Sequence, residues 1–323
     1  AENIEGADVV VHSTAVPFDN LERVAARAGG IPEAHRSEML GLCLSGYDSI
    51  GVTGTHGKGT VSAMITHIMT QAGQDPSFLI GGLLNNYGVN AHHGSGSLAI
   101  AEVDESDRSH LRLTPKFVVV NNLEVDHLNF YDGLDDIVDT MSCFINDNNE
   151  LDGLALNWDD PGVRSLSTKI DRTFLKYGAQ ANGLDYSARQ IQDLGSEVTF
   201  IAFEGETELG KIPLPLPGNY NAENAVGALS ICMGFLGVSF NAVQSALQTY
   251  RGLENRFTVV QAGGLTLVKD YISHPTGMRR VLESARRMDH QKIWCVFKPY
   301  RFTLMRYHGD EYAEAFRGAD DVV

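Results

Sequence analysis

Cysteine is scarce in this chain: Cys43, Cys143, Cys232 and Cys295 are the only four among 323 residues. They lie far apart and form no metal-type pair, which excludes a disulfide-stapled scaffold or a zinc ribbon. Each stands in an apolar context, so buried free thiols in a reducing compartment are expected. Long apolar runs are also missing, and no segment is suited to crossing a membrane. The first residues show neither the basic nor the apolar stretch of a secretion signal, so a cytoplasmic location is expected. Positive charge is in deficit: 25 Lys and Arg against 41 Asp and Glu give a net charge of −16. No basic cluster relieves this, which excludes a surface that coats nucleic acid. The eleven histidines contain no H-x-x-x-H pair, and His92-His93 sits in a Gly/Ser loop where solvation is expected. Nothing in the composition sets an oligomeric state.

What is present begins with residues 51–60, Gly-Val-Thr-Gly-Thr-His-Gly-Lys-Gly-Thr. Ile50 and Val52 end a short apolar run. Val61, Met64, Ile65, Ile68 and Met69 then recur at the spacing of one buried helical face. Gly73 is placed to close that helix in a left-handed conformation. Strand, glycine loop, lysine and helix in this order predict a phosphate grip. Gly54 and Gly57 let main-chain N–H groups approach an anion, the helix N-terminus adds partial positive charge, and Lys58 adds a full one. The match to G-x-x-x-x-G-K-[ST] is loose, since Val52 takes the first glycine position and Gly59 follows the lysine.

Length alone suggests about two domains, whereas the pattern divides into three stretches. Residues 1–46 hold one strand-like run (7–12) and helices near 21–28 and 37–44, which reads as the tail of a domain. Residues 47–253 alternate strands (50–53, 98–102, 117–121) with helices, add a β-rich patch around 198–203, and open another helix near Asn221. This alternation predicts a doubly wound, mostly parallel α/β sheet. Residues 254–323 start a further unit, with a hairpin at Gly263-Gly264, a helix near 276–287 and a strand at 293–297. Residues 321–323 read as the start of another strand, so both ends read as cut. The expected architecture is a central phosphate-loop domain flanked by partial Rossmann-like N- and C-terminal domains.

Two acidic segments follow apolar strands. Glu102 opens Glu-Val-Asp-Glu-Ser-Asp (102–107), and His127 ends Asn-Asn-Leu-Glu-Val-Asp-His (121–127). Alone, either reads as solvated surface. Delivered together to the carboxyl ends of neighbouring strands, beside a phosphate loop, they suit a divalent cation shared with nucleotide phosphates.

These residues resemble the Mur ligases, ATP-dependent amide-forming enzymes of cell-wall precursor synthesis, most of all their alanine-adding branch. The resemblance spans almost the whole chain. Thr-Gly-Thr-His-Gly-Lys (53–58) is similar to the family's ATP loop, which implies that Gly54, Thr55, His56, Gly57, Lys58 and Thr60 bind ATP. Glu102 and His127 match positions that hold Mg²⁺, with Thr60 as the nearest hydroxyl. Pro-Gly-Asn-Tyr-Asn-Ala-Glu-Asn-Ala (217–225) implies that Tyr220, Asn221 and Asn224 meet the adenine end. Arg256 in Glu-Asn-Arg-Phe matches the arginine at the start of the third domain that reaches toward the phosphates, and Asp270 lies in Lys-Asp-Tyr-Ile-Ser-His-Pro-Thr, which resembles a further family segment, so both are implied in ATP binding. Tyr271 and His274, from the latter segment, and Arg301, from Phe-Lys-Pro-Tyr-Arg-Phe-Thr (297–303), are implied at the substrate end. Lys58, Glu102, His127 and Arg256 are the implied catalytic set. The implied reaction uses ATP and Mg²⁺ to join a small amino acid to UDP-N-acetylmuramate through an acyl phosphate. No lysine occurs between Lys116 and Lys169, which fits the branch that does without a carbamylated lysine.

The chain departs from that branch at four places. Gly59 replaces a threonine that ligates Mg²⁺, Tyr220 a histidine, Ser273 the first of two histidines, and Leu304 the second of two arginines that grip the amino acid. A nucleotide-binding homologue without ligation, or one with altered amino-acid specificity, is the second reading these changes leave open. A folate-type ligase is a third, resting on Gly-Lys-Gly-Thr alone.

Overall fold

A computed structural model describes residues 2–299 and 301–323. Near the start, β1 (Val10–His12) runs parallel to β2 (Glu33–His35), with α1 (Leu21–Gly29) between them. Asn20 caps α1 by accepting from the N–H groups of Glu22 and Arg23. Gly30, at φ 71°, ends it. His35 and Glu38 form a capping box that starts α2 (Arg36–Leu44).

The next stretch builds one ten-stranded sheet. In chain order it comprises β3 (Asp48–Thr53), α3 (Lys58–Gln71), β4 (Ser77–Leu84), β5 (Val89–His92), β6 (Leu98–Glu102) and β7 (Phe117–Val120). Then come α4 (Leu134–Asn146), β8 (Gly153–Asn157), α5 (Pro161–Ser167), β9 (Leu175–Gly178), β10 (Tyr186–Asp193), β11 (Val198–Glu204) and β12 (Thr207–Leu214). The helices α6 (Asn219–Gly234) and α7 (Phe240–Gln248) follow. The spatial order is β12-β11-β10-β9-β8-β7-β3-β6-β4-β5. Pairing is parallel from β10 to β4 and antiparallel at both edges. The mostly parallel α/β sheet is therefore as expected.

Apolar alternation explains the layers. Val119 and Ala155 face the core beneath α3, α6 and α7, whereas Val118, Val120, Leu154 and Leu156 face α4 and α5. Strands covered on both faces must be apolar at successive positions, as 117–120 is. With β6 and β7 on opposite sides of β3, the strand order reverses at β3, and the ligand crevice lies at such a reversal.

The last stretch pairs β13 (Thr258–Ala262) with β14 (Leu265–Lys269) through the expected Gly263-Gly264 turn. Next come α8 (Pro275–Ala285), β15 (Trp294–Cys295), α9 (Phe302–Tyr307), α10 (Gly309–Phe316) and β16 (Asp321–Val322), the last paired in parallel with β15. The strand expected over 293–297 is only two residues long, matching the two residues of β16, its one partner among the described residues. The cysteine expectation is corrected: Cys232 is buried, Cys295 half-buried, but Cys43 and Cys143 are exposed. Cys143 lies on α4 between buried neighbours in sequence yet faces away from the stripe formed by Val138, Met141 and Ile145. Sequence neighbours on a helix do not share a face.

Candidate active site

The loop between β3 and α3 is fixed by main-chain geometry. Gly54 has φ 124°, and a Cβ there would lie 2.8 Å from the carbonyl oxygen of Asn122. Gly57, the N-cap of α3, has φ 79°, and its Cβ would lie 2.6 Å from Asn224 Oδ1. Side chains are excluded at both positions by conformation and by space. The segment after β7 stitches the loop down. Thr55 N–H donates to Asn122 O (3.0 Å), His56 N–H to Asn122 Oδ1 (2.7 Å), and Glu124 N–H to Thr55 Oγ1 (2.9 Å). Asn121 and Asn122 donate their side-chain amides to His56 O.

Lys58 points into this ring. Its Nζ donates to Gly54 O (2.7 Å) and lies 3.0 Å from Glu105 Oε2. Burial pulls the ammonium's pKa down, but Glu105, Glu102 and Asp104 outweigh it and hold the lysine above its ordinary range. Burial likewise raises Glu105, and Lys58 and His127 more than reverse that. Glu105, 3% exposed, was missed in the sequence although it lies in the same Asp-Glu-Ser-Asp run as Glu102. The signal was there, but nothing local tells which acid turns inward.

Glu102 ends β6 beside Gly59 and accepts from Gly81 N–H at 3.0 Å. A Cβ on Gly59 would lie 3.2 Å from Glu102 Oε2. His127 adopts a left-handed φ of 55°. Arg301 lies 3.0 Å from its Nδ1 and forms a bidentate pair with Asp126. Because a guanidinium only donates, Nδ1 accepts, so the ring proton sits on Nε2, 3.5 Å from Glu105 Oε1.

A second wall faces this loop. Arg256 lies 3.6 Å from Asp270 and donates to Tyr271 O at 3.4 Å. Asp270 accepts from Phe257 N–H at 2.9 Å, and burial raises its carboxyl pKa against the pull of Arg256. His274, 3% exposed, caps α8. Asn221 is N3 of α6, whose N-cap is Gly218, and is 4% exposed with its amide donating to Pro217 O. Burial raises the Tyr220 phenol.

Both walls line one cavity of about 820 Å³. It brings together Thr55, His56, Gly57, Lys58 and Thr60 of the loop, with Glu102 and His127. From the other side come Tyr220, Asn221, Asn224, Arg256 and Asp270, then Tyr271, His274 and Arg301. Of the expected site residues only Gly54 lies outside the lining, beneath the loop. Ser273 is at the cavity wall, but Leu304 is buried, at 1% exposure, in α9. Arg36 from α2 also lines the cavity and pairs with Asp104, linking the first stretch to the loop after β6.

Fold and site together define a nucleotide-using α/β protein that holds a second polar wall over its phosphate loop. Residues 52–232 match the Mur ligase middle domain, and residues 255–323 match the family described as Mur ligase, glutamate ligase domain. The whole chain is 35% identical to the UDP-N-acetylmuramate–L-alanine ligase of Pelotomaculum thermopropionicum, covering 70% of that protein. It is 38% identical to that of Symbiobacterium thermophilum, with 68% covered. Among solved structures it resembles the UDP-N-acetylmuramate–alanine ligase of Thermotoga maritima, with a TM-score of 0.83 and 25% identity. That match covers 98% of this chain and 70% of the other. The chain belongs to the Mur ligase family.

Proposed function

We propose that the chain is an ATP-dependent ligase that joins L-alanine to the carboxylate of UDP-N-acetylmuramate in peptidoglycan precursor synthesis. The observation that carries this reading is the convergence of Lys58, Glu102, His127, Arg256 and Arg301 on one cavity, in a chain related along its whole length to such ligases. ATP's γ-phosphoryl group passes to a carboxylate oxygen, giving an acyl phosphate and ADP. The amine then attacks the acyl carbon, the carbon–oxygen bond to phosphate breaks, and the nitrogen loses its extra proton. Such chemistry is mainly positioning and charge neutralisation. Lys58, released from Glu105, neutralises the γ-phosphate; Arg256 steadies the phosphates from the second wall; Tyr220, Asn221 and Asn224 hold the adenine end. Asp270 orients Arg256, and Tyr271, His274 and Arg301 form the amino-acid end.

The donors beside the loop, a carboxylate, a hydroxyl and surplus negative charge, fit a hard divalent cation. Glu102 and Thr60 would hold Mg²⁺, which neutralises phosphate charge when bound. His127 joins them through Nε2 only when Arg301 is withdrawn from Nδ1, since the contact leaves Nε2 protonated. We assign residues 1–46, 47–253 and 254–323 as sugar-nucleotide, ATP and amino-acid units. We expect a cytoplasmic location; the net charge of −16 disfavours a nucleic-acid partner, and no helix among the described residues is long and apolar enough to cross a membrane.

The test is phosphate release with UDP-N-acetylmuramate, ATP and Mg²⁺ against each amino acid in turn. Release that requires L-alanine supports the reading. Release with another amino acid moves the specificity, and nucleotide binding without amino-acid-dependent release overturns the ligase.

A further inference from the structure

Behind the phosphate loop, three side chains from three separate segments meet: His56 of the loop, Glu124 after β7, and His274 at the head of α8. Their ligand atoms all lie within 4.8 Å of one another. Glu124 Oε2 is 3.5 Å from His56 Nε2 and 3.5 Å from His274 Nδ1. Those separations are long for hydrogen bonds, but they match two ligands of one tetrahedral ion, which at metal–ligand bonds of 2.0–2.1 Å lie about 3.4 Å apart. His56 Nε2 is buried without a hydrogen-bond partner among the described residues.

We propose that His56, Glu124 and His274 form a binding site for a borderline divalent metal of the Zn²⁺ class, separate from the hard-cation site at Glu102 and Thr60. Two imidazoles and a carboxylate are donors of that class, and both imidazoles also line the cavity, which leaves a fourth position for water or a ligand. The second imidazole is ready to ligate: burial, aided by His56, depresses the His274 pKa to about 4, so the ring is neutral. The Glu124 carboxylate stays ionised. Burial raises it, but His56, Thr276 and His274 lower it to about 2. Thr276 Oγ1 donates to Glu124 Oε2 at 2.8 Å and orients it from outside the triad. His308 packs on His274 at 4.8 Å between ring centroids, but its nitrogens already engage Glu311 and Val125 O, so it supports the triad without ligating. Ligation at His274 Nδ1 would replace its 3.3 Å cap bond from Thr276 N–H. A metal here would tie the loop of the first wall to α8 of the second.

The test is calorimetric titration of the full chain with Zn²⁺ in excess Mg²⁺, paired with thermal unfolding. One Zn²⁺ per chain and a raised Tm are expected. His56→Ala and His274→Ala should each weaken binding by tenfold or more and abolish the Tm shift, while a His92→Ala, His93→Ala double variant at the exposed pair should change neither. If His274→Ala fails to fold, Glu124→Gln and His56→Asn read out the same site. Absence of saturable binding, or binding that survives the triad variants or is lost with His92 and His93, overturns the proposal.

Discussion

The two walls of the cavity are built differently. The loop wall is held by glycine conformations that no side chain tolerates and by hydrogen bonds that each engage at least one main-chain group, and its lysine is 12% exposed. Within the facing wall, the part built from residues after 254 is held to the central sheet unit by side-chain contacts: Thr276 to Glu124, His308 to Val125 O, Arg301 to Asp126, and Arg287 to Asp193. Its phosphate-facing arginine, Arg256, is 46% exposed. A wall anchored through its main chain is preorganised, whereas one joined by polar side-chain bridges can part and close as ligands come and go. The contrast places the phosphate loop on the preorganised side, and Arg256 with the acceptor-end residues Tyr271, His274 and Arg301 on the movable one.

The largest break in that comparison is Lys58→Ala. Phosphate release should fall by about 10²–10³-fold or more, and unchanged turnover would remove the phosphate grip from this loop. Next is Leu304→Arg, which restores the family's arginine in sequence but puts a charge at a position 1% exposed. It should cost about 3 kcal/mol or more of stability in thermal unfolding, without lowering the KM for the amino acid. A lowered KM would show that α9 turns outward to reach the substrate.

A third test concerns burial behind the rigid wall. His110 is 1% exposed and both its ring nitrogens lack partners among the described residues; burial, opposed by Glu105, lowers its pKa from 6.5 to about 4. Between those values the unfolded chain binds more protons than the folded one. The contribution is therefore complete above pH 6.5 and is lost as pH falls toward 4. It amounts to about 3 kcal/mol. His110→Phe should flatten the stability profile over pH 4–6.5 in denaturant titrations; a profile as steep as the parent's would assign the loss to other groups.

Arg301→Ala sharpens the contrast from the movable side. It should raise the amino-acid KM about tenfold or more, as loss of a bidentate carboxylate partner does, while ATP affinity measured by displacement stays within about twofold if the walls divide the work. The smallest effect is expected for Gly59→Thr. The added Cβ would sit 3.2 Å from Glu102 Oε2 and 3.2 Å from Leu253 Cδ1. A few-fold tighter dependence on Mg²⁺, about 1 kcal/mol or less, would mark Gly59 as a missing ligand, and no change would leave Thr60 serving.

The sheet and the loop are legible in short windows of the chain. Apolar runs at 50–53, 98–102 and 117–120, a glycine loop with Lys58, and the i, i+3, i+4 stripe from Val61 to Met69 are local signals, and short-range physics produces strand, turn and helix from them. Tyr220, Asn221 and Asn224 were legible only through resemblance, because nothing in their local pattern says that α6 reaches the loop. Which acids face inward is set by the packed fold, which places Glu105 against Lys58 and Glu124 against two histidines. It also buried Leu304, exposed Cys43 and Cys143, and engaged His127 Nδ1 with an arginine 174 residues away. These outcomes depend on which faces meet once the walls come together. Burial and pairing are properties of that meeting, and no window of sequence contains it.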